Sequence, residues 1–312
     1  MAEFSHILVI RIFVSCVGCI GNLILIFSIT HSHVKMSSVK SFEVFLLGLA
    51  VSNLEEIVMV NMYDTLNIVV LEDPTARAGN WPCRSLKFLT VSGELGSILF
   101  TVVICIFRYE KLRDAAERVN RPTHLDNLTA AVVVSGFCLV LSLALSAPIF
   151  VTSAAPTKPE RNSTGVYCPP DFFQCDEHRC PTLSYAYKYF FVVFCNVLPM
   201  FVVTVTSCLI VAVLLRQRQR VEASVHTSGL GPFGKTKNRR RHHRSTVAVL
   251  AAMGLFQVDW SLYLFLQLNS QTTNLAFWTE MKFFVSTSYT SISPYVFGIG
   301  NNLFSVKRFA RK

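Results

Sequence analysis

Charge is scarce in this sequence. Only 15% of its 312 residues are charged, whereas 52% are hydrophobic. That leaves too little polar surface to coat a water-soluble globule of this size, so the composition excludes one. Residues 1–6 also lack Lys and Arg, and the apolar run after them is too long for the core of a secretion signal. The chain is therefore expected to be a polytopic membrane protein that keeps its first helix.

Seven apolar stretches remain when the sequence is divided at charged and turn residues. Each is close to the ~20 residues that a helix needs to cross ~30 Å of hydrocarbon. They cover residues 7–30, 42–70, 83–108, 128–151, 184–215, 245–268 and 275–299. After them, residues 301–312 combine apolar and basic side chains, a pattern typical of an amphipathic helix on the inner leaflet. The predicted fold is an all-α membrane protein, a seven-helix bundle that forms one domain over residues 1–312.

Lys and Arg are concentrated on one side of this bundle. The segments 31–41, 108–126, 216–244 and 307–312 contain 20 of the 29 basic residues. By the positive-inside rule these segments face the cytoplasm, and the amino terminus lies outside. Most of the net charge of +10 then lies beside anionic lipid, which gives little reason to expect a nucleic-acid partner.

Four of the ten cysteines fall in or beside outer segments, where disulfides persist. These are Cys83, Cys168, Cys175 and Cys180. The sequence does not choose among their possible pairings. A zinc site that also uses His178 is the less favoured alternative, because the spacing is loose and the compartment is oxidising. In the same outer loop, Asn162-Ser163-Thr164 is an acceptor for N-glycosylation.

Enzymes and transporters leave signatures that this sequence lacks. It has no cofactor fingerprint and no internal repeat, and all eight His residues lie at helix ends or in loops. A membrane-embedded hydrolase would need paired Asp residues or a His/Glu metal cluster within its helices. A transporter would show repeats or a charged path across the bilayer. No catalysis, cofactor or metal is therefore expected, and neither a hydrolase nor a transporter is favoured.

An arginine marks the inner end of the third stretch. Cys83 and Arg108 are 25 residues apart, about 37 Å along a helix, so they lie at opposite faces of the membrane. With the triplet Phe107-Arg108-Tyr109, this helix resembles the third helix of rhodopsin-like G-protein-coupled receptors, whose usual triplet is Asp-Arg-Tyr. Further resemblances follow in the family's order at Gly21-Asn22, Leu49 to Asn53, Pro199, Phe256 to Leu262 and Ser293 to Phe297.

The departures from these motifs point to one branch of the superfamily. Asn53 replaces an aspartate, and Leu262 replaces the proline of the sixth helix. Together with the strings FRYEKLRDA and SISPYVFGIGNNLF, they resemble type-1 vomeronasal receptors and their fish olfactory relatives. Bitter-taste receptors are the nearest rival, and the outer Cys83 counts against them. The resemblance implies a chemosensory receptor of the plasma membrane. It would bind a small odorant or pheromone and activate a heterotrimeric G protein, expected to be of the inhibitory class.

The resemblance also implies roles for individual residues. It assigns G-protein coupling to Arg108 and Tyr109 and the activation switches to Asn53, Trp260 and Pro294. Because Phe107 stands where relatives have an acid, the restraint on Arg108 at rest is expected to be weak. Asn53 argues against the sodium site that relatives build around an aspartate, because a neutral amide offers a cation less.

A ligand pocket is predicted at the outer end of the bundle. On the third helix, Lys87, Thr90, Val91 and Glu94 recur at i, i+3, i+4 and i+7, so they share one face. The aromatic residues expected to complete the pocket are Tyr63, Trp260, Tyr263 and Phe283. Lys87 favours an anionic ligand and Glu94 a cationic or hydroxyl-bearing one, and both remain open. A structural role for Glu94 and Glu56, in which they bond to neighbours and never touch ligand, is open as well.

Overall fold

The structure, a computed structural model, describes residues 2–31, 40–72, 80–117, 127–152, 182–227, 236–269, 275–301 and 303. Helices account for nearly all of them. Their bounds are α1 (Ala2–His31), α2 (Ser41–Glu72), α3 (Asn80–Glu117), α4 (Leu128–Ser146), α5 (Ile149–Thr152), α6 (Thr182–Phe190), α7 (Leu198–Thr227), α8 (Thr236–Asn269) and α9 (Leu275–Gly300). A π-helical segment, Phe191–Val197, joins α6 to α7 without a break. With these three counted as one rod, the described residues form seven long helical rods, which confirms the predicted fold class.

Five of these rods are long and apolar enough to cross a membrane. They cover residues 8–31, 81–116, 128–151, 182–217 and 245–266. The other two rods, α2 and α9, carry polar side chains through their middle: Glu55 and Glu56 in α2, and mostly Ser and Thr over 286–293 in α9. Both rods pack against several neighbours, α2 on α1, α3 and α4, and α9 on α1, α2 and α8. Their polar side chains therefore have protein around them.

Several helices continue past the predicted ends of the apolar stretches. Helix α3 runs to Glu117, beyond the predicted end at Arg108, and α8 begins at Thr236, before the predicted start at Ser245. The prediction followed hydrophobicity, which marks the membrane and not the helix. Residues such as Lys, Arg, Glu and Ala in these extensions favour helix in water too. Arg108 consequently lies within a helix and not in its last turn.

Helix α4 has one exposed apolar face, as expected for contact with lipid, and one buried polar face. Val133, Phe137 and Val140 are 65%, 64% and 66% exposed and lie on one face, at i, i+4 and i+7. The small polar side chains of Ser142 and Ser146 are buried on the other. Small and polar residues at helix contacts, with large apolar ones outside, are typical of membrane helices.

Glycine brings α2 and α3 close together. A Cβ atom added at Gly93 would lie 2.6 Å from the backbone nitrogen of Glu56 and 3.0 Å from the carbonyl oxygen of Ser52. One turn further along α3, Gly96 faces the Ser52 side chain. This close approach places Glu56 of α2 beside the inward face of α3.

The π-helical segment lies directly before Pro199. The Leu198 N–H bonds to the Val193 carbonyl, five residues back, and the Asn196 side chain donates to the Phe191 carbonyl at 3.1 Å. Because proline has no N–H to donate, an irregular turn before it is expected. This turn carries the buried Asn196 into the bundle.

Candidate functional site

The outer rim is tied together across three helices. Arg11 of α1 forms an ion pair with Asp64 of α2, and its guanidinium carbon lies 3.9 Å from the centre of the Phe283 ring on α9. One turn deeper, the Asn61 side chain donates to Ser15 at 2.9 Å. The sequence marks Arg11 and Asp64 only as charges near the outer ends. The structure pairs them.

Three carboxyl groups are buried below this rim, and we refer to Glu56, Glu94 and Asp259 as the acid layer. They are 2%, 6% and 9% exposed and come from α2, α3 and α8. Helix α9 supplies hydroxyl donors to two of them: Ser286 bonds to Glu56 at 2.7 Å and Ser288 to Asp259 at 2.8 Å. Glu94 is close enough to Glu56 for the two carboxyl groups to interact electrostatically.

The acid layer contains more acceptors than donors. The second carboxyl oxygen of Glu56 is buried and has no hydrogen-bond partner. Lys87 is near enough to Glu56 to interact with it electrostatically. Ionisable side chains within a bilayer are costly and are usually retained for function. The arrangement can therefore receive a group that brings hydrogen-bond donors.

A narrow cleft between α8 and α9 adjoins the acid layer. It has no room for a water-sized molecule and is lined by Asp259, Trp260, Tyr263, Val285, Ser286 and Tyr289. The Trp260 and Tyr263 rings meet edge to face with centroids 5.0 Å apart. The walls stand too close for a ligand to enter unless they separate.

The predicted ligand residues divide between this region and the packed core. Trp260 and Tyr263 line the cleft, and Lys87 and Glu94 lie within electrostatic reach of Glu56. The four others are engaged elsewhere. Thr90 donates to the Leu86 carbonyl at 2.8 Å, Val91 is 1% exposed in the core, Tyr63 packs beside Cys83, and Phe283 lies against Arg11.

Sequence reasoning missed the polar residues that α9 contributes. Ser286, Ser288 and Tyr289 were not among the predicted site residues, yet two of them bond to acids and two line the cleft. The available signal was the run of hydroxyl side chains at membrane depth. Such side chains need partners there, and buried acids on other helices are suitable ones.

A neutral network lies below the acid layer, and we call Asn22, Asn53, Ser97 and Ser293 the amide network. Asn53 donates to Asn22 and to Ser293, both at 3.2 Å, and accepts from Ser97 at 2.8 Å. Both the nitrogen and the oxygen of the Asn53 amide are therefore hydrogen-bonded. Four helices meet at these four uncharged side chains.

Aromatic contacts join the cleft to α3. The Phe256 ring lies 5.7 Å from Trp260 and 5.4 Å from Tyr289, and the Tyr289 hydroxyl bonds to Thr101 at 2.6 Å. Thr101 is on the same helix as Arg108, about two turns further out. The cleft and the inner end of α3 are thus connected through packed side chains.

At the inner end, Arg108 is half-buried and has no carboxylate partner among the described residues. Its guanidinium carbon lies 3.6 Å from the centre of the Phe42 ring, and its Nη2 donates to Asn301 at 2.9 Å. Ser245 of α8 donates to the same Asn301 oxygen at 2.6 Å. We call Arg108, Ser245 and Asn301 the inner polar cluster. No acid in the described part of the chain forms an ion pair with Arg108.

Phe107 packs at the position where the family pattern has an acid. It is 4% exposed, and its ring lies 6.1 Å from Phe42 and 5.7 Å from Phe45. Tyr109 is half-buried against the same core. The ring of Phe42 therefore contacts both Phe107 and Arg108, a role for which its sequence position gave no signal.

The remaining predicted site residues are placed only in part. Cys83 is buried and disulfide-bonded, but Cys168, Cys175, Cys180 and Asn162 lie outside the described residues, as does most of the predicted tail 301–312. Pro294 is buried in α9. Beside it, the Tyr295 hydroxyl bonds to the Val17 carbonyl of α1 at 2.8 Å.

Comparison with known proteins identifies the family. The family model for the 7 transmembrane receptor (rhodopsin family) matches residues 21–296. The chain belongs to this receptor family. Among solved structures, squid rhodopsin resembles the receptor with a TM-score of 0.73 at 15% sequence identity, covering 100% of this chain and 85% of the squid protein. At that identity the likeness shows the fold alone. No curated protein sequence matches the chain.

Family membership decides several expectations. The chain is a signalling receptor and not an enzyme, and it is a multi-pass protein of the plasma membrane. Its partners include a ligand and a G protein, as in the family. The transporter alternative is thereby wrong.

Proposed function

We propose that this receptor is chemosensory. It binds a small odorant or pheromone in an outward-facing pocket and activates a heterotrimeric G protein of the inhibitory class. The chemosensory assignment rests on the resemblance of residues 107–115 and 291–304 to type-1 vomeronasal receptors and their fish olfactory relatives. The observation that supports the pocket is the acid layer beside an aromatic cleft.

The ligand in this proposal carries hydrogen-bond donors. The acid layer offers buried acceptors on three helices, and the second oxygen of Glu56 has no donor. Lys87 lies within electrostatic reach of Glu56, which competes with an anionic ligand for it. An amine or hydroxyl group placed among these acceptors gains charge-assisted hydrogen bonds. Trp260 and Tyr263 provide apolar walls for the rest of the molecule.

Ligand entry is coupled to the inner end through the aromatic contacts. A ligand that separates α8 from α9 displaces Trp260 and Tyr289, which contact each other through Phe256. Movement of Tyr289 then acts on α3 through Thr101. In this scheme Asn53, Trp260 and Pro294 change their packing during activation, and Arg108 and Tyr109 meet the G protein.

The outer loop completes the proposed receptor. Cys83 pairs with one of Cys168, Cys175 and Cys180. Asn162 carries a glycan on the same outer side.

The direct test is G-protein activation in cells that express the full chain. The cells are challenged with separate pools of small amines, hydroxylated compounds, organic acids and steroid-like amphiphiles. We expect a dose-dependent fall in cyclic AMP with an amine or hydroxylated pool, abolished by pertussis toxin. A response confined to organic acids would contradict the ligand class, and a response insensitive to the toxin would contradict the inhibitory class.

A conservative variant tests the acid layer itself. Glu94→Gln keeps the size of the side chain and removes its negative charge. We expect its dose curve to shift to about tenfold higher concentration, the loss of one charge-assisted hydrogen bond. Glu110→Gln, on the inner part of the same helix, is the matched control. An unchanged curve for Glu94→Gln at normal surface expression would show that Glu94 is structural.

A further inference from the structure

The inner polar cluster joins three helices through one side-chain oxygen. Asn301 Oδ1 accepts from Arg108 of α3 and from Ser245 of α8, while Asn301 Nδ2 donates to the Phe297 carbonyl of α9 at 2.9 Å. Because Arg can only donate, the atom that faces Arg108 must be the amide oxygen. The orientation of the Asn301 amide is thus determined by its partners.

Asn301 is held firmly in this position. Its backbone N–H bonds to the Phe297 carbonyl at 3.0 Å, directly after α9 ends at Gly300. Two residues later, Leu303 is 1% exposed, and its carbonyl accepts a hydrogen bond from Ser28 of α1. The turn that carries Asn301 is therefore anchored to α1 as well as to α9.

Arg108 depends on this amide because it has no counter-ion in the described part of the chain. A buried guanidinium is costly unless its donors are satisfied. Here the ring of Phe42 covers one face, Asn301 satisfies Nη2, and Nε has no hydrogen-bond partner. Losing Asn301 would remove the hydrogen bond that fixes the guanidinium relative to α8.

We propose that Asn301 is a positioning residue that holds Arg108 and the inner end of α8 together in the resting receptor. Release of Ser245 from the shared oxygen lets α8 move away from α3 and exposes Arg108 to the G protein. A neutral amide thereby performs the restraint that a carboxylate at residue 107 would otherwise provide. This inference concerns coupling, and it holds whether or not the proposed ligand class is right.

Hydrogen exchange of the purified full-length receptor in lipid nanodiscs tests the proposal without ligand or G protein. In Asn301→Leu, which removes both hydrogen bonds, we expect residues 245–252 to exchange about tenfold faster than in the wild type. Ser245→Ala, which keeps the Arg108 bond, should accelerate exchange less. Asn61→Leu removes a comparable amide at the outer end and should leave residues 245–252 unchanged.

Ligand-independent nucleotide exchange on G proteins gives a second readout. We expect it to rise about tenfold in Asn301→Leu. In Asn301→Asp, which places a carboxylate beside Arg108, it should fall below the wild-type level. In the double variant Asn301→Leu with Ser245→Ala, we expect the same nucleotide-exchange rate as in Asn301→Leu alone, because both substitutions act through the same Asn301 oxygen.

Two results would overturn the proposal. One is wild-type exchange at residues 245–252 in both Asn301→Leu and Ser245→Ala. The other is additive effects of the two substitutions, which would mean that they act independently. If Asn301→Leu does not reach the cell surface, Asn301→Asp and Ser245→Ala still decide the matter, since both keep a polar or small side chain at the site.

Discussion

The outer and inner halves of this receptor bury opposite charges and satisfy them differently. In the outer half, three carboxyl groups of the acid layer lie on α2, α3 and α8, and serines of α9 bond to two of them. In the inner half, the guanidinium of Arg108 rests on a phenylalanine ring and a neutral amide. In the outer half, hydrogen-bond acceptors outnumber their donors. In the inner half, the donors of Arg108 outnumber their acceptors. Each half is therefore incomplete toward a partner of opposite hydrogen-bonding character.

Removing the inner charge should have the largest effect. We expect Arg108→Ala to lower maximal G-protein activation about 30-fold, the size typical of an arginine at the centre of an interface. Arg113→Ala is the control, because that side chain is 48% exposed and makes loose contacts, to Asp114 at 3.8 Å and to the centre of the Tyr109 ring at 5.9 Å. Equal losses in both variants would mean that Arg108 has no special role.

The second-largest effect is expected on stability, when a side chain is added where α2 and α3 approach each other closely. The Cβ of Gly93→Ala would collide with the Glu56 backbone, so we expect a loss of about 1 to 3 kcal/mol in unfolding free energy. Gly254→Ala is the matched control because nothing lies within 4 Å of its added Cβ. Thermal unfolding of both variants in detergent measures the difference. Similar stabilities would contradict the close helix approach.

Giving the inner half a carboxylate should make it resemble the outer half. In Phe107→Asp, the new acid neighbours Arg108, so we expect ligand-independent signalling to fall about fivefold. The ring it replaces is 4% exposed, so some stability is lost as well. Phe107→Leu separates the two effects because it removes the ring without adding charge. Unchanged basal signalling in Phe107→Asp would disprove the expectation of a weak restraint.

Adding a charge between the halves should have the smallest effect. Asn53→Asp would place a carboxylate among the oxygens of Ser97, Ser293 and Asn22, a donor set that suits a hard cation. We expect sodium, compared with choline, to stabilise this variant by about 1 kcal/mol and the wild type not at all. Equal sodium responses in thermal unfolding would argue against it.

The fold followed from the sequence because hydrophobicity and the positions of Arg108, Trp260 and Pro294 carry most of the information. The helix ends did not, because α3 and α8 continue in water beyond the apolar stretches. Individual acids such as Glu94 could be predicted as site residues, because a carboxyl group within an apolar stretch is costly to place in a bilayer.

Their partners required the three-dimensional packing. Nothing in the sequence joins Ser286 to Glu56 or Asn301 to Arg108, since these contacts span distant helices. Motif comparison also looks for the family's own residues, so a neutral substitute such as Asn301 goes unnoticed.

The division between the two halves is tested most directly by full concentration–response curves for G-protein activation. One curve is recorded for Glu94→Gln and one for Arg108→Ala, each with the compound pool that activates the wild type. We expect Glu94→Gln to raise the half-maximal concentration and keep the maximum, whereas Arg108→Ala should lower the maximum about 30-fold at equal surface expression. A lowered maximum with an unchanged midpoint in Glu94→Gln would contradict the division between an outer half that binds ligand and an inner half that couples.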